Sequence, residues 1–488
     1  MTPAHNAAFL LFALVAVAAA PALSAESAET PNFLIILGDD CTYLDLPLYG
    51  GRNVKTPNID RLAQQGLTFN RAFLAMSMCN PCRTELYTGL YPARSGACWN
   101  HSAARPGTRS VVDHLGGLGY RVGIAGKTHI GPRASFAFEN VPGVEGNCVS
   151  LTADFDAAGI REFMSRDPGQ PFCLAVGLVV PHSPWTVGDP GRFPPKQLKL
   201  PPNMADTPAT REDFAKYLAE IEVLDDHVGG VLQTLEDSGR SDRTLVVFSS
   251  EQGAQFPGCK WTNWNTGVHT AFVVRWPGRV AAGRRTDAVI QYADLLPTLL
   301  EAAGSEAKAG DFDGSSFLGV LLGKSDRHRR FAYFMHNNIP EGPPYPIRSL
   351  SDGQYHYIRN LAPEAIYIEK HLMGEVRWHE YWPSWVFATT FDEHARSVVT
   401  RYLRRPAEQL YKMTDDPYEL TDLVGDSEHA AIRARLSAEL DRWMREQGDL
   451  GAAIDTEAEW QAARKGEHFD RSSEPTGETN DAIESTSK

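Results

Sequence analysis

Positive charge is scarce in this chain. Lys and Arg number 47 against 61 Asp and Glu, a formal charge of −14. A nucleic-acid partner calls for a basic surface and is not expected. An anionic ligand must therefore be met by a few local Lys and Arg side chains, not by the field of the whole molecule. Long apolar runs are also missing. The one candidate, residues 9–22, is short for a bilayer span and no later segment qualifies, so stable membrane insertion is not expected. The small residues Ser24 and Ala25 follow that run, and residues 1–25 read as a secretory signal, although His5 stands where Lys or Arg is usual. Export to the periplasm or the exterior is the expectation. Cysteine is limited to seven residues, Cys41, Cys79, Cys82, Cys98, Cys148, Cys173 and Cys259. An odd number in an exported protein calls for one special thiol. Cys173 lies in an apolar run and reads as core. No internal repeat is present, which removes repeat architectures.

What is present is a chain long enough for a large core and two lobes, with an ordinary share of apolar residues, 42%, and of charged ones, 22%. Short apolar runs alternate with amphipathic segments, as in parallel α/β folds. Residues 33–37, 122–125, 173–180, 245–248 and 270–276 read as strands, and 59–66, 214–235 and 293–303 as helices. The pattern predicts a catalytic α/β domain over 31–340. A smaller α+β subdomain follows over 341–460, after the proline-rich stretch 340–346, with a strand at 355–358 and an amphipathic helix at 431–444 packing on a small sheet. Residues 461–488 read as a polar tail, disordered from about 466.

The residues that follow the strands matter more than the strands. Asp39 and Asp40 follow the first, Lys127 and His129 the second, His182 the third, and Glu251 and Gln252 the fourth. In open parallel sheets, sites form beyond the carboxyl ends of the strands. Any one of these residues alone reads equally well as a loop start or helix cap; four together read as a site. Three carboxylates and one amide oxygen suit a hard divalent cation such as calcium. His129 and His182 titrate near neutrality and suit proton transfer.

One further run carries more information than any other: Cys79-Asn80-Pro81-Cys82-Arg83-Thr84-Glu85-Leu86-Tyr87-Thr88-Gly89. As a Cys-x-x-Cys pair it would read as a redox site or half of a zinc site. A zinc site needs further ligands, and only Cys98 follows closely; a thioredoxin-like site belongs to a much smaller βαβ unit. The whole run instead resembles the activating segment of the type I sulfatases. Its Cys-x-Pro-x-Arg continues into Leu86, Thr88 and Gly89 as that family's does, and Cys82 stands where the family more often has serine.

The resemblance spans nearly the whole chain after the signal segment. It includes Thr56-Pro57-Asn58-Ile59-Asp60-Arg61-Leu62-Ala63, Gly126-Lys127-Thr128-His129, Asp294-Leu295-Leu296-Pro297-Thr298 and Asp415-Asp416-Pro417-Tyr418-Glu419-Leu420. The segment from Ser250 to Trp261 looks like the heparan N-sulfatase-like branch. The resemblance implies an alkaline-phosphatase-like fold, a large mostly parallel sheet sandwiched by helices, and hydrolysis of sulfate esters or N-sulfamates of a sulfated oligo- or polysaccharide.

It also implies that a maturation enzyme oxidises Cys79 to formylglycine, which would leave six cysteines. One Ca2+ per chain is implied, held by Asp39, Asp40, residue 79, Glu251 and Gln252; the family's second pair is usually Asp followed by Asn or His. Arg83, Lys127 and Lys260 are implied as sulfate holders, with Arg83 one turn into a helix started by Pro81, whose N-terminus also favours an anion. One hydroxyl of the aldehyde hydrate attacks sulfur; His129 deprotonates the second hydroxyl to release sulfate, and His182 or Lys260 protonates the leaving oxygen. Two alternatives stay open: a phosphonate monoester or phosphodiester hydrolase of the same superfamily, and an inactive carbohydrate-binding homologue. Trp99, Trp185, Trp261 and Trp264 lie close in sequence to the site and read either as sugar-stacking faces or as core.

Overall fold

A computed structural model describes residues 30–308, 310–374 and 379–465. The expected signal segment and residues 466–488 of the expected tail lie outside the described residues. Eight strands form one sheet: β1 (Asn32–Gly38), β2 (Leu67–Phe73), β3 (Arg121–Gly126), β4 (Glu139–Val141), β5 (Phe172–Leu178), β6 (Thr244–Ser249), β7 (His269–Arg275) and β8 (Arg284–Gln291). Their order across the sheet is β4-β3-β5-β1-β6-β7-β2-β8. All are parallel except β7, which runs antiparallel to both of its neighbours, β6 and β2.

The centre of this sheet follows from its composition. Every residue of β1, β5 and β6 is buried. A strand covered on both faces needs no polar alternation, so it appears in the sequence as an unbroken apolar run. Successive side chains still point to opposite faces. Leu34 and Ile36 join one core with Phe214, Tyr217 and Leu224 of the long helix Pro208–Asp237. Phe33, Ile35 and Leu37 join the other core with Leu295, Leu296 and Leu299 of the helix Leu295–Ala302. Helices thus cover both faces, as the sequence predicts.

Three strands of this sheet have no counterpart in the sequence reading: β2, β8 and the short β4, of which only Val141 is buried. β2 carries Asn70 and Arg71, and the first four residues of β8 are exposed or half-buried, so neither forms a clean apolar run. The run at 270–276 does form a strand, but an antiparallel one.

The smaller sheet is wholly antiparallel, in the order β12-β11-β10-β9, with β9 (Ala332–His336), β10 (Ile347–Ser351), β11 (Tyr355–Asn360) and β12 (Glu408–Lys412). The helix Ala430–Gln447 packs Leu436, Leu440 and Trp443 onto Leu350, Tyr357 and Leu410 of this sheet. The sheet begins before the boundary expected at residue 340, because β9 precedes the proline-rich stretch and pairs with β10 beyond it.

Candidate active site

The four strands whose ends carry polar residues, β3, β5, β1 and β6, are adjacent in the sheet and parallel. Their carboxyl ends therefore form one contiguous edge. Asp39 and Asp40 leave β1 at its centre, with the Asp39 amide donating to Val180 O after β5 at 3.1 Å. Glu251 and Gln252 leave β6 beside them, Lys127 leaves β3, and His182 follows β5.

The fifth contribution comes from the helix Cys79–Thr88, every residue of which is buried. This helix begins at Cys79, two residues before the start expected at Pro81. Pro81 therefore occupies the third helical position, where the missing N–H has no intrahelical partner to lose. The Cys79 Sγ lies 3.7 Å from Asp39 Oδ1 and 3.9 Å from Asp40 Oδ1. Ligand-type atoms of Asp39, Asp40, Cys79 and Glu251 all fall within 4.8 Å of one another, and all four residues are buried.

Three cationic side chains face these three carboxylates. Arg83 reaches Glu251 Oε1 with Nε at 2.6 Å and donates from Nη1 to Lys127 O at 3.0 Å. That approach depends on Gly177, where an added Cβ would lie 2.5 Å from Lys127 O and 2.9 Å from Arg83 Nη1. Lys127 Nζ holds Asp39 Oδ2 at 2.5 Å, and Lys260 Nζ holds Asp40 Oδ2 at 2.6 Å. His182 Nε2 stands 3.2 Å from Lys260 Nζ and 3.4 Å from Asp40 Oδ2, while its Nδ1 donates to Ser183 O at 2.5 Å. His129 presents Nε2 to His101 Nδ1 at 3.1 Å, and its Nδ1 is buried with no hydrogen-bond partner. All of the sequence-predicted site residues thus come together at this edge.

The electrostatics follow from burial. Desolvation would raise the Asp39 carboxyl, but Lys127, the Glu251 side chain, His182 and Arg83 together outweigh it and hold Asp39 well below the usual carboxylate range. Glu251 is pushed well above that range by burial, despite Arg83. Burial would lower Lys127 and Lys260, but the groups around them together, Asp39 foremost for Lys127 and Asp40 for Lys260, hold both above the usual lysine range. Burial pushes His129 well below its ordinary value, with help from His101 and Lys127, so its neutral form is favoured.

Do these groups fit a divalent cation? Three carboxylates converge, and neither oxygen of Glu251 receives a well-aligned hydrogen bond although both are buried. A buried carboxylate oxygen such as Glu251 Oε2 is what a hard cation requires, while Oε1 also faces Arg83 Nε at 2.6 Å. Gln252 is the exception as it stands. Its Nε2 donates to Asp40 Oδ1 at 2.7 Å and to Cys79 Sγ at 3.1 Å, while its Oε1 accepts from Cys82 Sγ at 3.1 Å. A half-turn of the amide would present the oxygen instead.

Cys79 and Cys82 lack the low-pKa thiol setting of a redox pair. Burial raises both Cys79 and Cys82 as thiols, Cys82 the further of the two. Cys82 Sγ turns to Cys79 O and Gln252, and all seven cysteines are unpaired.

Several neighbours carry no signal in the sequence. Asn80, a variable position of the motif, donates from Nδ2 to His129 O at 3.2 Å and accepts at Oδ1 from Ser102 Oγ at 3.3 Å. His101 pairs with His129. Cys148 is the one cysteine that is not fully buried, and its thiol lies within 4.8 Å of Asp39 and His182 ligand atoms. Six non-glycine residues adopt left-handed backbone among the described residues; five of them, Asp40, His101, His129, Glu251 and Trp261, surround this site. Such strain persists only where surrounding structure over-determines it, and it concentrates at functional sites.

Among the tryptophans, Trp185 stacks on Phe256 at 4.8 Å within the core, and Trp264 is buried beneath Arg401 and Arg405. Trp261 lies under Lys260, 4.5 Å from Nζ to the ring, and against His371. Trp99 is half-buried.

Comparison with known proteins bears on this geometry. A family model described as Sulfatase matches residues 31–305, and one described as N-sulphoglucosamine sulphohydrolase, C-terminal, matches 260–361. An ulvan-active sulfatase of Formosa agariphila is 31% identical over 436 residues, covering 88% of this chain and 82% of the relative. The N-sulphoglucosamine sulphohydrolase of Homo sapiens is 25% identical over 473 residues, covering 86% and 91%. Among solved structures, one in complex with its substrate D-glucosamine-2-N,6-O-disulfate superposes with a TM-score of 0.66 at 18% identity, covering 86% of this chain and 99% of the other. The phosphonate monoester hydrolase of Agrobacterium radiobacter superposes with a TM-score of 0.65 at 20% identity, covering 86% and 96%. These two structural likenesses show the fold alone.

Proposed function

The chain belongs to the sulfatase family, in the alkaline-phosphatase-like superfamily, and is a sulfuric ester hydrolase; on that premise we propose that it is exported and removes sulfate from a sulfated carbohydrate, as an O-sulfate ester or an N-sulfamate. The single observation that carries the reading is the meeting of four adjacent strand ends with the Cys79 helix. It sets three buried carboxylates and three buried cationic groups around one sulfur atom. Relatives named for ulvan and for N-sulphoglucosamine support the substrate class. Residues 9–22 support export.

Asp39, Asp40, Glu251 and Gln252, with residue 79, are the groups that would hold a divalent cation, and calcium suits their oxygen-rich set. Cys79 is the position that would become formylglycine. Bound together, the cation and the hydrated aldehyde would supply an oxygen nucleophile and polarisation of a sulfate oxygen. The rest falls to the chain's own side chains. With Glu251 ionised, as a bound cation would require, three carboxylate charges balance those of Arg83, Lys127 and Lys260, so a dication would make the site net positive, as a sulfate ester requires.

The sulfate oxygens are oriented by Lys127 and Lys260, whose ammonium groups are held by Asp39 and Asp40. His182 keeps its Nδ1 proton on Ser183 O, which turns Nε2 toward Lys260. A proton at that edge is placed for the leaving oxygen. His129, neutral and with Nδ1 bare, is placed to accept a proton from the nucleophile's side.

The test is turnover of an aryl sulfate, an aryl phosphodiester and a panel of defined sulfated oligosaccharides by the mature protein. Sulfate release from at least one oligosaccharide is expected. Phosphodiester turnover that exceeds every sulfate release would replace this reading with the phosphonate or phosphodiester one.

A further inference from the structure

We infer that His101 is a positioning residue that fixes the tautomer of His129. The inference deepens the reading above and rests on it for the role of His129. Two observations carry it. His129 Nε2 meets His101 Nδ1 at 3.1 Å, while His129 Nδ1 is buried and bare. Both residues also hold left-handed backbone, with φ of +47° and +59°.

The scaffold that imposes this arrangement starts beside the nucleophile position. The Asn80 backbone N–H donates to Asn100 Oδ1 at 3.3 Å, and the Asn80 side chain receives Ser102 Oγ and donates to His129 O. One residue thus ties down both histidine loops. Asn100 in turn donates from Nδ2 to Glu341 Oε1 at 3.3 Å.

The tautomer follows from these contacts. A base at Nδ1 needs its lone pair there, so the neutral ring must carry its proton at Nε2. Nε2–H then donates to His101 Nδ1, which must be unprotonated, and the His101 proton sits at Nε2.

Burial together with the neighbouring His101, Lys127 and Arg83 opposes a cation on His129, against Asp39, so the neutral ring with a single N–H is the form these contacts fix.

Nitrogen-15 NMR of the full-length protein with labelled histidine reads the tautomer directly, whether or not residue 79 is converted. His129 should carry Nε2–H in the wild type and in His101→Asn, whose Oδ1 replaces the Nδ1 acceptor. His101→Leu should shift His129 toward Nδ1–H. In the mature enzyme, His101→Leu should lower kcat about tenfold with little change in KM and be partly rescued by imidazole, a modest share of a typical acid–base contribution. Nδ1–H in the wild type, or an unchanged tautomer and kcat in His101→Leu, overturns the inference. A wild type that releases no sulfate would instead overturn the functional reading and leave the tautomer result standing.

Discussion

Replacing Asp40 by Asn tests the proposed cation site at its centre. The substitution keeps shape but removes one of three carboxylates, and Asn still accepts from Gln252 Nε2 or Lys260 Nζ. At an effective dielectric of about 20, two unit charges about 4 Å apart interact by about 4 kcal/mol, and a carboxylate with a dication by about twice that. If desolvation cancels half, about 4 kcal/mol of binding remains attributable to Asp40, roughly three decades of affinity. A ligand at about a hundred times its dissociation constant stabilises the fold by about 2.7 kcal/mol. Calcium should therefore raise the melting temperature of the wild type, and a chelator should reverse it. In Asp40→Asn both responses should vanish at the same calcium concentration, with loss of bound metal after dialysis. The Asp313→Asn control, at an ion pair whose Arg94 end is exposed, should respond like the wild type. Calcium binding to Asp40→Asn within threefold of the wild type would refute the assignment.

The other predictions concern conversion, proton transfer and pH. In protein made with the maturation enzyme, the peptide spanning residue 79 should show oxidation at Cys79 alone; Cys79→Ala should abolish turnover, while Cys82→Ser should keep much of it because a hydroxyl can serve Cys79 O and Gln252 Oε1. Conversion at Cys82 would refute this. His182→Ala should lose far more activity on a sugar sulfate than on a nitrophenyl sulfate, which needs little help from an acid, and His129→Ala should lose similar amounts on both; equal losses for His182→Ala would mean that it only orients sulfate. Burial pushes Glu220 up to about 8, while its Oε1 accepts the Thr186 and Val187 amides and its Oε2 has no partner. Its folded value lies above its unfolded one, so stability should be lost as pH rises from about 4.5 to about 8, and Glu220→Gln should flatten that loss, gaining about 3 kcal/mol over wild type at pH 8 in denaturant unfolding.

The site was largely legible because its residues sit where strands end. A fully buried parallel strand appears as an apolar run, and the polar residue after it marks the edge, so Asp39, Lys127, His182 and Glu251 could be read without coordinates. Lys260 was reached only through resemblance, since it lies in a loop whose path no pattern fixes. His101 was passed over for a related reason. Its partner is 28 residues away, and nothing local records a left-handed backbone at either residue. Some recognisable segments prove to be scaffold. Asp225 secures the amides of Asn58 and Ile59, and Asp294 binds Arg329 and the amides of Gln291 and Ser315. Glu419 joins His356 on β11 to the Asn265 amide. β2, β4 and β8 leave no signature because mixed polar residues hide half-covered strands, and the antiparallel course of β7 leaves no trace in composition.

The burial of the Cys79–Thr88 helix sets an order of events in the life of the molecule. Cys79 is 1% exposed, and the helix lies wholly inside the fold, beneath the ends of four strands. No enzyme can close its own active site around that side chain once the sheet has assembled. An oxidation at Cys79 must therefore happen on a chain still extended, during or just after synthesis, and for an exported protein it competes with folding for the same interval. A chain that folds first is sealed with a thiol at its centre. The fraction of active molecules in a preparation would then record a race between two rates, and slowing the folding of this chain should raise it.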